Sequence, residues 1–305
     1  MNRLVAIVGP TATGKSRLAL YLAQQFQGEI VSADSRQVYR HMDIGTAKPG
    51  RQELSRVPHH LIDIINPDED FSLAQYQRLA YQAINDIQQR QKLPVLVGGS
   101  GLYVWAVLEG WQIPEVASDP EFRRLLEEKA VSGGGEELYQ ELMKVDPVAA
   151  QSIDRRNVRR LIRALEVSRY AEAPFSRLHS KEAPPFDSLI IGLTTERAEL
   201  YRRTDSRVDR MIGQGLVEEV KKLLDTGYGF DLPAMSGIGY KQIGMFLKGE
   251  LGLDSAVRQI KTETHRLVRR QYNWFRLTDK RIHWFDIQEE MEAEIKAQVA
   301  GFIST

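Results

Sequence analysis

The chain has 305 residues, 42% of them hydrophobic and 27% charged, with a formal net charge of zero and no cysteine. This is ordinary globular composition, with enough apolar material for a core. It excludes disulfides, zinc ribbons and thiol nucleophiles, and it leaves any affinity for nucleic acid to local basic faces rather than a global field.

The first apolar run, Leu4 to Val8, is too short for a signal segment or a membrane span and stops at Gly9-Pro10. With the missing cysteines, this suits a cytoplasmic protein that makes no use of a membrane. Short continuous apolar runs then recur: LVAIVG (4–9), EIVSAD (29–34), HHLIDI (59–64), LPVLVGG (93–99) and SLIIGL (188–193). Continuous rather than alternating runs predict buried strands of a parallel sheet. Helical periodicity over 15–26 and 73–91 supplies crossovers, so the fold class is α/β with a doubly wound core. Loops at the carboxyl ends of such strands gather at one edge and bind ligand.

After Pro114 the pattern changes. Asp119 to about Tyr170 reads as helical and charged, broken at Gly133-Gly134-Gly135, and no strand is expected before Ser188. The reading is a core of 1–114 plus 188–305 with a helical lobe, 115–187, inserted into it. The C-terminal part is mostly helical, and IHWFDI (282–287) suits either a strand or a loop.

GPTATGKS (9–16) fits G-x-x-x-x-G-K-[ST], follows a predicted strand and opens a predicted helix, SRLALYLAQQF (16–26). That context makes it a P-loop. The backbone of Gly9, Pro10, Thr11, Ala12, Thr13 and Gly14 curls so that its N–H groups face phosphate, Lys15 adds a full charge, and the Ser16 hydroxyl suits Mg²⁺. Such a loop also suits ATP. Two further groups sit at strand ends: Asp34, in ADSRQVYR (33–40), and Ser100, in GGSGLY (98–103). Taken alone, Asp34 is equally a helix cap and Ser100 a turn residue. Their convergence with the loop makes them site candidates.

Two basic faces stand out. In RRNVRRLIRALEV (155–167), Val158, Leu161, Ile162 and Leu165 form one apolar stripe, which leaves Arg155, Arg156, Arg159, Arg160 and Arg163 on the remaining surface beside one acid, Glu166. The face suits phosphate binding or a solvated surface. Arg266, Arg269, Arg270 and Asn273 form a second stripe, with RNA binding, structural and diphosphate-binding roles all open. Trp274 and Phe275 read as core, and His59 and His60 receive no ligand role.

GPTATGKS, DSRQVYRHMDIGTAKP (34–49), HHLID (59–63), GGSGLY, DPVAAQSIDRRNVRRLIRALEV (146–167), GIGYKQ (237–242) and RRQYNWFR (269–276) occur in one order. In that order, and over nearly its whole length, the chain resembles the tRNA dimethylallyltransferases. The resemblance implies transfer of a dimethylallyl group from dimethylallyl diphosphate to the exocyclic amine of the adenosine immediately 3′ of the anticodon. It implies a P-loop-kinase-like core with a helical insertion, with Lys15, Ser16 and Mg²⁺ on the diphosphate. Asp34 corresponds to the general base, and Ser100 stands where the family usually has Thr. Arg203 and Arg207 match arginines near the diphosphate. Asp34, Ser35, Arg36, Gln37, Ser100, Arg123 and the segment Val158, Arg159, Arg160, Leu161, Ile162 match positions that contact the tRNA anticodon loop. Thr204 stands where the family usually has an apolar residue. The chain is expected to act as a monomer. The rival readings are a P-loop small-molecule kinase and an RNA-binding NTPase without covalent chemistry.

Overall fold

The structure, a computed structural model, describes residues 2–114, 116, 119–170, 175–177, 181–288 and 290–304. In chain order the first elements are β1 (Arg3–Val8), α1 (Lys15–Gln25), β2 (Glu29–Ser32), α2 (Arg51–Arg56), β3 (His59–His60), α3 (Leu73–Gln89), β4 (Pro94–Val97) and α4 (Gly101–Leu108). Then come α5 (Pro120–Val145), α6 (Pro147–Ser152), α7 (Val158–Tyr170) and β5 (Asp187–Thr194). The remainder is α8 (Arg197–Gly213), α9 (Leu216–Asp225), α10 (Tyr240–Leu247), α11 (Leu253–Trp274), β6 (Ile282–Asp286) and α12 (Glu292–Ser304).

The six strands form one parallel sheet in the order β3-β2-β4-β1-β5-β6. The continuous apolar runs therefore do mark strands, and IHWFDI supplies the sixth. Residues 4–8 of β1 are all fully buried, as a central parallel strand covered on both faces requires. Leu18, Leu22, Ala19 and Ala23 of α1 pack on one face of this sheet with Phe285, Ile295 and Val299. HHLIDI is the exception among the runs. Only His59 and His60 are strand, because Leu61 (φ 63°) and Asp63 (φ 55°) turn the chain. Ile64 and Ile65 donate their N–H groups to the Val38 carbonyl instead, which fastens this segment to 37–40.

Contacts divide the chain into two compact units. The first holds Met1–Ser72, Tyr76–Leu108 and Pro184–Thr305; the second holds Leu73–Gln75 and Glu109–Ala183. In the second, α5 bends at Gly134 (φ 68°), within the expected glycine break. Asp119 caps α5 through the Phe122 N–H, and Asp146 caps α6 through the Ala149 N–H. Its core is formed by Leu138, Leu142, Ala150, Leu161, Ile162 and Ala164, among others.

One carboxylate at the edge of the first unit is wholly enclosed. Glu29, at the start of β2, accepts from Arg90 (2.6 and 2.9 Å), Lys92 (2.9 Å) and His60 (2.7 Å). Burial pushes its pKa up, but the bonds from Arg90, Lys92 and His60 outweigh that and bring it down to about 2. The carboxylate therefore stabilises the fold fully above the ordinary glutamate range, and this contribution is lost as pH falls from about 4.5 through about 2. Glu29→Gln should cost about 1–3 kcal/mol of unfolding free energy at neutral pH, because its cationic partners are only half-buried and regain water. Urea unfolding at pH 7 and pH 3 checks this: the gap between wild type and variant should shrink at the lower pH.

Candidate active site

The loop between β1 and α1 is shaped by its glycines. Gly9 has φ 128°, and a Cβ there would lie 2.3 Å from the Leu193 carbonyl oxygen of β5, so no other residue fits. Gly14 (φ 87°) turns the chain into α1, whose N-terminus has no side-chain cap and no acid in its first turn. The orphan amides and the positive end of the helix therefore face the loop's hollow unanswered. The Thr13 hydroxyl donates to the Pro10 carbonyl at 2.9 Å and fixes the curl. Lys15 Nζ donates to the same carbonyl at 2.6 Å, and Arg207 of α8 donates to the Thr11 hydroxyl at 3.0 Å.

These two cations crowd one another. Loss of water around Lys15 and repulsion from Arg207, against the attraction of Asp34, bring the lysine down to about 7. Arg207 is likewise depressed by loss of water, against Asp34 and with Arg210 adding repulsion. Two cations share one carboxylate, which leaves a net positive hollow that an anion would complete.

The sheet brings the other candidates to the same edge. The parallel ladder continues past the strand ends: Gly98 N–H donates to Ile7 (3.2 Å), Ala33 N–H to Val97 (2.7 Å) and Ser100 N–H to Ala33 (3.3 Å). Ser100 Oγ accepts from the Ser35 N–H at 3.0 Å and meets Ser35 Oγ at 3.2 Å. Asp34 Oδ1 accepts from the Arg36 N–H at 2.9 Å, a tight turn that presents the carboxylate at the strand end. Asp34 is thus not a helix cap, and among the described residues no cation touches it directly, although Lys15 and Arg207 feel its charge. Ser100 braces the turn that carries Asp34.

The neighbours of Asp34 are largely committed within the protein. Arg36 donates to the carbonyls of Pro233 and Ala234, and Gln37 donates to those of Thr46 and Ala47 and accepts from Ser32. They shape the site wall as much as they face it.

A cavity of about 1280 Å³ opens here, with Lys15, Ser16, Asp34 and Ser100 in its lining. A narrower crevice of about 550 Å³ shares Lys15, Ser16 and Arg207 and adds Arg203 and Arg210. Arg203 lies only in this second space, held by Glu199 at 2.7 Å. The buried Thr204 hydroxyl donates to the Tyr201 carbonyl (2.8 Å), which is how a polar residue sits in this apolar place.

Two residues escaped sequence reasoning. Gln271, buried on α11, accepts from the Thr11 N–H (2.8 Å) and donates to the Gly99 carbonyl (3.1 Å), so one amide ties both glycine-rich loops to α11. Glu219 accepts from the N–H groups of Asp43, Ile44 and Gly45 and from the Tyr240 hydroxyl, and so pins the DIG turn. A buried glutamine inside the basic stripe 266–273 was the available signal for Gln271. Nothing local distinguishes Glu219 from any acid on an amphipathic helix.

In the second unit several expectations need correction. Leu161 and Ile162 are core side chains, 0% and 4% exposed, so neither offers a side chain to RNA, while Val158 is half-buried against them. Arg123 is paired with the fully buried Glu166 through both oxygens at 2.8 Å, and Arg163 joins it at 2.6 Å. Both arginines therefore neutralise an internal charge. Arg155 and Arg156 precede α7 rather than riding on it, and they pair with Glu136 and Asp154. Arg159 and Arg160 are exposed and have no side-chain partner among the described residues. Trp274 also departs from expectation: Phe275 is core at 0%, but Trp274 is 41% exposed and lines the large cavity.

A central parallel strand running through such a loop into an uncapped helix defines a P-loop-type α/β fold. A family model described as IPP transferase matches residues 37–278, and the chain belongs to that family. It is 51% identical over 301 residues to a tRNA dimethylallyltransferase of Dehalococcoides mccartyi, covering 99% of this chain and 93% of the relative. It is 54% identical over 276 residues to that of a Roseiflexus species, 90% of each chain. Among solved structures it is similar to the full-length tRNA isopentenylpyrophosphate transferase of Bacillus halodurans, with TM-score 0.73, 42% identity, and 99% and 96% coverage. It is also similar to a eukaryotic dimethylallyltransferase solved acting on tRNA, with TM-score 0.85, 27% identity, and 100% and 80% coverage.

The depressed Lys15 has a measurable consequence. A diphosphate in the hollow favours the charged lysine, so binding above pH 7 takes up a proton and affinity falls as pH rises. Calorimetry of inorganic diphosphate at pH 8, in two buffers of different ionisation enthalpy, should show more proton uptake by wild type than by Lys15→Ala. The variant should also bind at least tenfold more weakly. Equal proton uptake would remove Lys15 from the anion site.

Proposed function

We propose that the chain transfers a dimethylallyl group from dimethylallyl diphosphate to the exocyclic amine of the adenosine immediately 3′ of the anticodon in tRNA, releasing diphosphate. The observation that carries this reading is the meeting of a cationic loop and the Asp34 carboxylate in one cavity of about 1280 Å³, whose other acid, Glu263, is paired with Arg266, in a chain of this family. The volume exceeds the roughly 300–1,000 Å³ of a usual small-molecule site, leaving room for a base beside the allylic diphosphate.

An exocyclic adenine amine is a weak nucleophile, because its lone pair is delocalised into the ring. An allylic diphosphate ionises readily once its departing charge is stabilised. The loop amides, Lys15 and Arg207 supply that stabilisation, with Arg203 at the narrower crevice. The amine nitrogen bonds to the allylic carbon, the carbon–oxygen bond breaks, diphosphate leaves with the electron pair, and the amine proton passes to Asp34. Ser100 and Ser35 hold the turn that aims Asp34.

Mg²⁺ fits this site on the chemistry of its donors. Among the described residues no three acids or histidines form a cage, but Mg²⁺ keeps its waters and needs few protein oxygens beside phosphate. The exposed Ser16 hydroxyl, lining both cavities, would hold it. When bound, the ion would neutralise charge on the leaving diphosphate.

In this reading tRNA is the second substrate, the loop holds diphosphate rather than ATP, and the enzyme works as a cytoplasmic monomer. No helix among the described residues is long and apolar enough to cross a membrane. Arg159 and Arg160 are free to neutralise RNA phosphate, whereas Arg123, Arg155, Arg156 and Arg163 are engaged.

Asp34→Asn keeps size and shape but cannot take the proton. Turnover measured by nucleoside mass analysis should fall by about two to four orders of magnitude, with the affinities for tRNA and dimethylallyl diphosphate changed much less. Equal loss of both affinities at an unchanged rate per bound complex would make Asp34 a turn residue only. Replacing Arg159 and Arg160 by Gln should flatten the plot of log tRNA affinity against log salt by about one to two units, and leave diphosphate binding alone. Superimposable slopes would assign this face to solvent.

A further inference from the structure

The large cavity has a mixed polar and apolar lining, and two of its large hydrophobic residues stand well exposed. Trp274, the last residue of α11, is 41% exposed and Leu102, the second residue of α4, is 43% exposed; both line it. Large hydrophobics left open inside a cationic cavity lose free energy to water unless a ligand covers them.

The indole is fixed in place. A Cβ on Gly101 would lie 2.2–2.5 Å from Trp274 Cβ, Cγ and Cδ2, so the side chain is seated directly on the glycine backbone, and any larger residue at 101 would displace it. The Trp274 carbonyl accepts from Trp105 Nε1 at 3.0 Å, and Phe275 next to it is fully buried. The side chain is anchored at its base and open to the cavity. Gly101 directly follows Ser100, which braces the Asp34–Ser35 turn. The exposed indole is therefore built on the same turn that positions the carboxylate. Lys241 and Arg270 line the same cavity, exposed, with no side-chain partner among the described residues. An aromatic face beside unpaired cations is what an unstacked nucleotide needs: a surface for the base and charge for the phosphates.

We propose that Trp274 is a stacking platform for the adenine that receives the prenyl group, with Leu102 beside it and Arg270 and Lys241 on the flanking phosphates. This rests on the reading of the chain as an adenosine-prenylating enzyme. A base pulled from the anticodon loop loses its neighbours' stacking, and the indole restores a π-face at the place where the amine meets Asp34. Trp274 is a binding and positioning residue; it takes no part in proton transfer.

The test uses an anticodon-arm RNA with 2-aminopurine at the target position, whose fluorescence is quenched when stacked and bright when extruded without a partner. Saturating wild type should leave the probe quenched. Trp274→Ala should bind the RNA roughly 5- to 150-fold more weakly and leave the probe several-fold brighter at saturation, with Trp274→Phe between the two. Inorganic diphosphate binding, measured on each variant, should be unchanged and serves as the folding control. A probe equally quenched by wild type and Trp274→Ala would overturn the platform. So would a variant whose defect lies only in KM for dimethylallyl diphosphate, which would give this face to the prenyl chain. The companion assay keeps the two claims apart. If wild type prenylates the unlabelled arm and the probe result is negative, stacking alone fails. If wild type leaves the arm unmodified, the reading beneath it fails as well.

Discussion

Lys15 and Arg207 reach the hollow of one loop from different helices, both drawn away from water, with Asp34 as their shared counter-charge. Like charges held together in poor hydration oppose folding, and they persist because the surrounding structure leaves them no alternative. Gly9 must pass against the β5 backbone, and Thr13 and Lys15 both bond to Pro10, so the curl of the loop is set before any ligand arrives. The remaining parts of the site are placed relative to this curl. The Gly98–Ser100 turn continues the sheet ladder beside it, and Gln271 joins the two loops through a single amide.

This arrangement divides the labour between charge and shape. The loop and α8 concentrate positive charge on one small volume, where in the proposed reaction it would stabilise a departing diphosphate. The wall formed by 34–49 is held by Glu219, Gln37 and Arg36 through bonds to backbone groups, which fix its shape. In the proposed reaction, a site that ionises one substrate and receives a base from another would benefit from that separation, since the base could enter without disturbing the charges that stabilise the leaving group.

How far these features were legible in the sequence follows from how local their signals are. The β1–loop–α1 unit was readable because each part of its pattern has a local cause: a buried strand, glycines at positive φ, an uncapped helix. The sheet was readable from continuous apolar runs, except at HHLIDI, where two non-glycine residues at positive φ break the strand and hydrogen bonds to 37–38 replace its pairing. The arginine face at 155–163 was legible as a pattern but not as free charge. Whether an arginine faces solvent or neutralises a buried glutamate is a tertiary fact, and Glu166 takes Arg163 of this face together with Arg123, which the resemblance had placed on RNA. Trp274 and Phe275 are adjacent and chemically alike, yet only the fold says which is core. Glu219 acts across a long sequence separation and had no local signature, and Gln271 had only its place inside the basic stripe to mark it.

The central claim is that the loop hollow holds a diphosphate whose departure leaves a five-carbon group on one tRNA adenosine. Its most direct test is a single-turnover reaction of wild type with dimethylallyl diphosphate and tRNA lacking this modification, followed by nuclease digestion, nucleoside mass analysis and diphosphate assay. The account predicts one adenosine per tRNA heavier by a single C5H8 unit, located immediately 3′ of the anticodon, with one diphosphate released for each. Unchanged nucleosides, or diphosphate released without modified adenosine, would contradict it.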